Sequence, residues 1–143
     1  MEVRPMEIRR ANRDDADQVF ALANELTENG EVPRERFDEA FPDLLAHDTS
    51  HCLVAAVGEQ INGYACGHYH VALHTGVRVA YLEEMVVTED LRNSGIGRQL
   101  VQAFETWALE QGCGRAALAA QLAGPFYESL GYEAAGTHYR KPL

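Results

Sequence analysis

The segment Arg92-Asn93-Ser94-Gly95-Ile96-Gly97-Arg98 carries the residue types of an anion cradle. Glycines at 95 and 97 leave no Cβ in the way of a ligand approaching the backbone. Behind them, Ile96, Leu100, Val101, Phe104, Trp107 and Ala108 fall at three- and four-residue spacings and predict an amphipathic helix. The free N–H groups and positive dipole end of that helix favour phosphate at its mouth. Arg92 and Arg98 add positive charge on either side of the turn. The chemistry that follows is phosphate or pyrophosphate binding, although a tight strand-to-helix turn that binds nothing has the same local signature. Two nucleotide motifs are excluded. The P-loop requires Lys followed by Ser or Thr, and the chain contains neither pair. The dinucleotide fingerprint requires a third glycine where Leu100 stands. The cradle therefore suits some other phosphate-bearing cofactor.

The elements that must position this loop are legible on both sides of it. Leu82, Met85, Val86 and Val87 form an apolar run with β-branched residues, closed by Thr88-Glu89-Asp90, which predicts a buried central strand over 79–87. Earlier, 6–10 reads as a first strand. Asn12 can cap a helix with Asp14 and Asp15 in its first turn and Ala16, Val19, Phe20, Ala23 and Leu26 on its apolar face, stopped by Asn29-Gly30. Pro33 opens a second helix with Phe37, Phe41, Leu44 and Leu45 on one side, which Pro42 should disturb or break. These early helices could form one wall of a substrate site. Segments 51–57 and 61–70 around Gly58-Glu59-Gln60 read as a hairpin, and 73–77 as a loop. After the long helix, which Gly112-Cys113-Gly114 ends, 116–120 reads as a fifth strand. Pro125 opens a short helix ended by Gly131, and 132–135 with 137–141 read as a closing hairpin around Gly136. The order β-α-α-β-β-β-α-β-α-β-β predicts an α/β (α+β) fold, a mixed sheet with helices on both faces.

The 143 residues, 46% of them apolar, suit one domain spanning 1–143 with a proper core. No apolar run approaches a membrane span, and the charged start of the chain lacks the apolar stretch of a signal peptide. Three cysteines, Cys52, Cys66 and Cys113, show no CxxC spacing and read as reduced, mostly buried thiols, so a cytoplasmic location is expected. The net charge of -10 opposes nonspecific binding to nucleic acid or acidic membrane and mildly favours a cationic substrate, though an acidic surface also serves solubility alone.

Two segments together carry a family resemblance. Arg92, Gly95 and Gly97 meet the pattern Arg/Gln-x-x-Gly-x-Gly/Ala, and Phe126-Tyr127-Glu128-Ser129-Leu130-Gly131-Tyr132 meets Phe-Tyr-x-x-x-Gly-Phe/Tyr. With these markers in this order, the chain resembles the GNAT superfamily of acyl-CoA-dependent N-acetyltransferases. The resemblance implies a mostly antiparallel sheet whose fourth and fifth strands splay apart, and acetyl-CoA as co-substrate. Its pyrophosphate would lie on the cradle (Arg92, Asn93, Ser94, Gly95, Ile96, Gly97 and Arg98), and its pantetheine arm on the backbone of Met85 and Val87. Phe126 would contact the cofactor as well. Many members carry Asn-x-x-Ala ahead of the tyrosine. Here Ala123 fits but Ala120 stands where Asn would be, with Gln121 adjacent as a substitute.

An alkylammonium, with a pKa of about 10, must lose a proton before it can attack, and a carboxylate is a suitable acceptor. Glu83 and Glu84 lie on the central strand, where alternation turns only one of them to the cleft. Glu83 shares parity with Met85 and Val87 and is favoured; Glu84 is the reserve. The segment YLEEMVV resembles the matching strand of polyamine acetyltransferases. The resemblance further implies the amide of Val86 or Val87 as oxyanion donor, and Tyr127 as the acid that protonates the departing thiolate. Ordinary ion pairing for the glutamates and packing for the tyrosine are the structural alternatives.

His68, His70 and His74, followed by Arg78, suggest an acceptor pocket able to meet an anionic group, and the segment also resembles aminoalkylphosphonate acetyltransferases. Partly exposed edge-strand histidines are the plainer reading. His-x-His lacks a convincing third ligand, so no metal is expected. The leading function is direct acetyl transfer to the primary amine of a small molecule, polyamine-, aminoalkylphosphonate- or aminoglycoside-like. A non-catalytic acyl-CoA sensor and a protein N-acetyltransferase are the alternatives. The resemblance also implies a homodimer, paired through the C-terminal hairpin or a sheet edge.

Overall fold

A computed structural model describes residues 4–27, 30–120 and 123–143. Five strands form one sheet in the order β1 (Glu7–Arg10), β2 (Ser50–Val57), β3 (Gln60–Ala72), β4 (Val77–Val87) and β5 (Cys113–Leu118). The first four pair antiparallel; β4 and β5 pair parallel. Helices α1 (Ala16–Ala23) and α2 (Arg34–Ala46) cover one face, and α3 (Ile96–Glu110) covers the other.

Alternation along the strands divides the core between these faces. Cys52, Val54 and Ala56 of β2 meet Val19, Leu22 and Phe41, whereas Leu53 and Ala55 meet the α3 side. The residues of α3 expected from spacing alone, Ile96, Leu100, Val101, Phe104, Trp107 and Ala108, are the ones it buries. Gly67 is what lets α3 lie this close: a Cβ there would strike the Tyr81 carbonyl oxygen and approach Phe104 Cζ to 2.7 Å.

The entry to α1 is fixed by a capping box. The Asn12 side chain accepts from the Asp14 amide at 2.9 Å, and the Asp15 carboxylate accepts from the Asn12 amide at 2.8 Å. Buried Asp15 also takes both arms of Arg9, at 2.8 and 2.9 Å, tying β1 to the helix start. That guanidinium holds the carboxyl below the usual carboxylate range.

Three expectations are corrected. Pro42 does not break α2, which runs on to Ala46. A proline within a helix costs about 3 kcal/mol, but Phe41, Leu44 and Leu45 stay packed against the sheet on either side of it. The first helix gives way to a 3-10 turn at Asn24, which leaves Leu26 exposed rather than on the apolar face. The closing hairpin is absent: residues beyond Gly131 form no strand. Glu133-Ala134-Ala135-Gly136 offers weak strand formers and no apolar face to bury. Asn29, expected with Gly30 to stop the first helix, lies outside the described residues.

The sheet is not uniformly paired. β4 is matched to β5 only from Arg78 to Leu82, where Leu82 faces Leu118 and β5 ends. Residues 83–87 of β4 continue against β3 alone, with Met85 opposite Ala65 and Val87 opposite Gly63. This divergence opens a gap beside the second half of β4.

Candidate active site

The mouth of α3 meets the requirements of a phosphate cradle. Gly95 caps the helix at φ 92°, in the left-handed region, and a Cβ there would meet nothing within 4 Å. Asn93 precedes it at φ 66°. The first bond of the helix runs from the Gln99 amide to the Gly95 carbonyl, so the amides of Ile96, Gly97 and Arg98 lie in the turn that lacks intrahelical acceptors. Arg98 is exposed. Arg92 lies across the start of the loop, its Nε donating to the Val87 carbonyl at 3.3 Å and its guanidinium 3.7 Å from Glu25. The Ser94 hydroxyl donates to the Leu91 carbonyl, closing the turn on itself. Gly97 faces Met85, Val87 and Phe126, with a Cβ there reaching Phe126 Cζ at 3.4 Å.

Next to this mouth, α4 (Gly124–Ser129) carries Phe126 and Tyr127 onto the α3 side of the core, beside Met85, Val87 and Leu118. The Tyr127 ring meets Phe126 and Tyr132 edge to face, at 5.0 and 6.0 Å between centroids. Tyr132 is itself anchored, its hydroxyl donating to Glu105 at 2.7 Å. Burial pushes the Tyr127 phenol above its ordinary pKa. Gln121 lies outside the described residues.

The two glutamates separate sharply. The ladder between β3 and β4 slips at Cys66/Gly67, pairing Cys66 with Glu84 and Gly67 with Leu82. Glu83 is the residue left over in this bulge, and it is exposed. Alternation holds from Glu84 to Val87, with Met85 and Val87 packed on the α3 side and Glu84 on the other. Glu84 turns toward α1 and α2. Its carboxylate accepts from the Tyr64 hydroxyl at 2.9 Å and lies 3.6 Å from the Cys66 thiol. Burial and the neighbouring Glu84 charge push both donors well above their ordinary pKa values, so both keep their protons.

Glu84 lines a cavity of about 410 Å³ between the sheet and the two early helices. Val19, Ala23, Phe37, Phe41 and Leu44 supply apolar wall, and Arg36 lines it from α2. The value of Tyr64 and Arg36 was not apparent in the sequence. A Tyr two residues before Cys66 becomes informative only once the β3–β4 register is known.

The histidine-rich segment is not one cluster. His68 and His70 lie on the α1/α2 side of β3, their rings 5.9 Å apart, with His68 5.8 Å from Tyr81. His74 is exposed in the turn after β3. Arg78 turns to the α3 side, where it donates to the Gln111 carbonyl at 2.7 Å and lies over the Tyr69 ring. None of the four lines the cavity. All three cysteines are buried and free. No helix among the described residues is long and apolar enough to cross a membrane.

The model of the Acetyltransferase (GNAT) family matches residues 16–132. The chain belongs to the GNAT acetyltransferases. Membership makes it an acetyl-CoA-dependent N-acetyltransferase acting on an amine. Among similar curated proteins, the aminoalkylphosphonate N-acetyltransferase of Salmonella typhimurium is 29% identical over 141 residues, covering 96% of this chain and 91% of that protein. The thialysine N-epsilon-acetyltransferase of Bos taurus is 28% identical over 151 residues, covering 92% and 88%. The fold is shared with a transcriptional regulator from Bacillus halodurans C-125, with TM-score 0.86 and 27% identity over 97% of this chain and all of that one. It is shared too with an aminoglycoside N-acetyltransferase solved with CoA, with TM-score 0.85 and 21% identity over 99% and 98%. The open α3 mouth and the unpaired edge of β4 in this acetyltransferase fit the phosphates and the extended arm of its co-substrate.

Proposed function

We propose that the acetyltransferase transfers acetyl directly to the primary amine of a small molecule, with Glu84 as proton acceptor and Tyr127 as proton donor. The observation that carries this is the placement of Glu84: its carboxylate lines the cavity between the sheet and the two early helices, while Glu83 is exposed. The loop of Arg92, Asn93, Ser94 and Gly95, with the first turn of α3 through Arg98, would hold the pyrophosphate. Met85 and Val87 would receive the pantetheine arm along the free edge of β4, and Phe126 would pack beside it.

Acetyl-CoA supplies an electrophilic thioester carbonyl and a sulfur leaving group. Glu84 takes one proton from the ammonium of the acceptor, freeing its lone pair. The N–H of Val86 or Val87 receives the negative charge that develops on the carbonyl oxygen. As the C–N bond forms, the C–S bond breaks, and the Tyr127 hydroxyl gives its proton to the departing sulfur. The acylated nitrogen gives its second proton to the Tyr127 phenolate, and Glu84 releases the first to solvent, so the products are an N-acetylated amine, the free thiol and one proton. Glu84 lies on one side of the sheet and Tyr127 on the other, so the β4–β5 gap is where both can address one reacting centre.

Similarity to an aminoalkylphosphonate and a thialysine acetyltransferase supports a small acceptor. Thiol release from acetyl-CoA across aminoalkylphosphonates, polyamines, aminoglycosides, amino acids and short peptides tests the reading. Turnover of a small amine is expected. Turnover of peptides alone would reassign the acceptor to protein, and silence with tight acetyl-CoA binding would favour a sensor.

A further inference from the structure

Among the described residues, two charged side chains line the acceptor cavity, and they are of opposite sign. Glu84 sits where β4 forms the floor; Arg36 projects from α2 at the exposed rim. The wall between them is aliphatic and aromatic, including Val19, Leu26, Phe37 and Phe41. Arg36 is not spent on the protein. Its neighbour Arg34 is held by Asp17 at 2.7 Å and Asp38 at 2.8 Å, whereas Arg36 makes no hydrogen bond or ion pair among the described residues.

We infer that Arg36 is a specificity-determining residue and that the acceptor is a short amine carrying an anion, a phosphonate or carboxylate set off by an apolar spacer. This rests on Glu84 being the proton acceptor. With the amine at Glu84, an anion held across the cavity by the spacer would meet Arg36 at the rim, where a guanidinium pairs well with a tetrahedral or planar oxyanion. The same geometry opposes a polyamine. Its second ammonium would meet Arg36, and the described lining residues offer no second carboxylate to receive it. The acidic charge of the whole chain acts at long range, but contact discrimination is set by the groups lining the cavity.

The test compares aminoethylphosphonate, β-alanine, propylamine and spermidine as acceptors for wild type, Arg36→Gln and Arg36→Lys, with ligand binding followed by calorimetry in parallel. Arg36→Gln is expected to lower kcat/KM for the better amino anion about tenfold, mainly through KM. Arg36→Lys restores part of the loss, and propylamine turnover stays unchanged in both variants. The ratio of aminoethylphosphonate to β-alanine turnover tells which anion the rim prefers. Equal loss for propylamine, no loss for either anion, or spermidine as the best wild-type acceptor would overturn the inference while leaving the catalytic reading intact. Glu84→Gln separates the two. It lowers turnover of every acceptor at least ~100-fold if the catalytic reading holds, and calorimetry still reports whether aminoethylphosphonate binding depends on Arg36 where turnover is lost.

Discussion

The hydroxyl of Tyr64 donates to Oε1 of Glu84 across 2.9 Å, from the adjacent strand β3 to β4. A carboxylate free to rotate is a poor proton acceptor because the acceptor lone pair must be aimed. Tyr64 fixes one oxygen and leaves the other beside the Cys66 thiol. Since burial keeps the phenol protonated, it remains a donor through the neutral range. Tyr64→Phe preserves the ring in the core and removes only this bond. Losing a hydrogen bond to a charged group is expected to lower kcat/KM about tenfold, with the folded state retained by circular dichroism. An unchanged rate would mean that Glu84 needs no such positioning.

The two neighbouring glutamates make a paired experiment. Glu84→Gln keeps the shape of the cavity and removes its proton acceptor, so kcat is expected to fall at least ~100-fold. Glu83→Gln alters an exposed bulge residue, and a change of no more than about twofold is expected, as for other surface substitutions. Thiol release with one saturating amine measures both. The opposite ranking would return the role to Glu83.

The placement of these two glutamates shows where sequence reasoning stops. The glycine turn at the mouth of α3, the buried face of that helix and the first hairpin were legible because glycine pairs and apolar spacings are local signals. Ile96 to Ala108 of α3 bury the residues their spacing requires. The contacts of Glu84 with Tyr64 and Cys66 accompany a one-residue slip opposite Cys66 and Gly67, and nothing local in YLEEMVV announces it. Arg78 was grouped with His68 and His70 by proximity in the chain, yet it reaches the opposite face of the sheet to Gln111. Pro42 and the C-terminal residues failed for a related reason. Tertiary packing overrode the local rule at Pro42, and the C-terminal segment forms no strand because its residues offer no apolar face to bury.

Tyr127 allows a test of the acid independent of the base. Tyr127→Phe retains the edge-to-face contacts with Phe126 and Tyr132 and removes the proton. Turnover is expected to drop at least ~10-fold, as for loss of a general acid, with little change in CoA affinity by calorimetry. Burial raises the phenol above its ordinary value, so the form able to donate persists to higher pH than a free tyrosine would allow. The alkaline limb of kcat due to this group should therefore lie above pH ~10. Unaltered turnover in the variant would remove Tyr127 from proton transfer.

His51 supplies a stability prediction with a defined pH window. Its ring stacks on Trp107 at 4.8 Å with the planes 2° apart. Burial, and then the charge of Arg10, lower its pKa to about 4 from the ordinary 6.5. The unfolded chain then binds a proton at His51 more readily than the folded chain. Stability from this group is present above pH 6.5 and is lost as pH falls toward about 4. The full shift corresponds to about 3 kcal/mol, and partial exposure of the ring reduces it to roughly 1–2 kcal/mol. Carboxylates titrate in the same window, so the informative quantity is a difference. His51→Phe keeps an aromatic ring on Trp107 and removes the proton site. Urea unfolding at pH values from 7 to 4.5 should show the variant losing less stability than wild type, with the two curves diverging below pH ~6.5. Parallel curves would show that the imidazole stays solvated enough to accept its proton without cost.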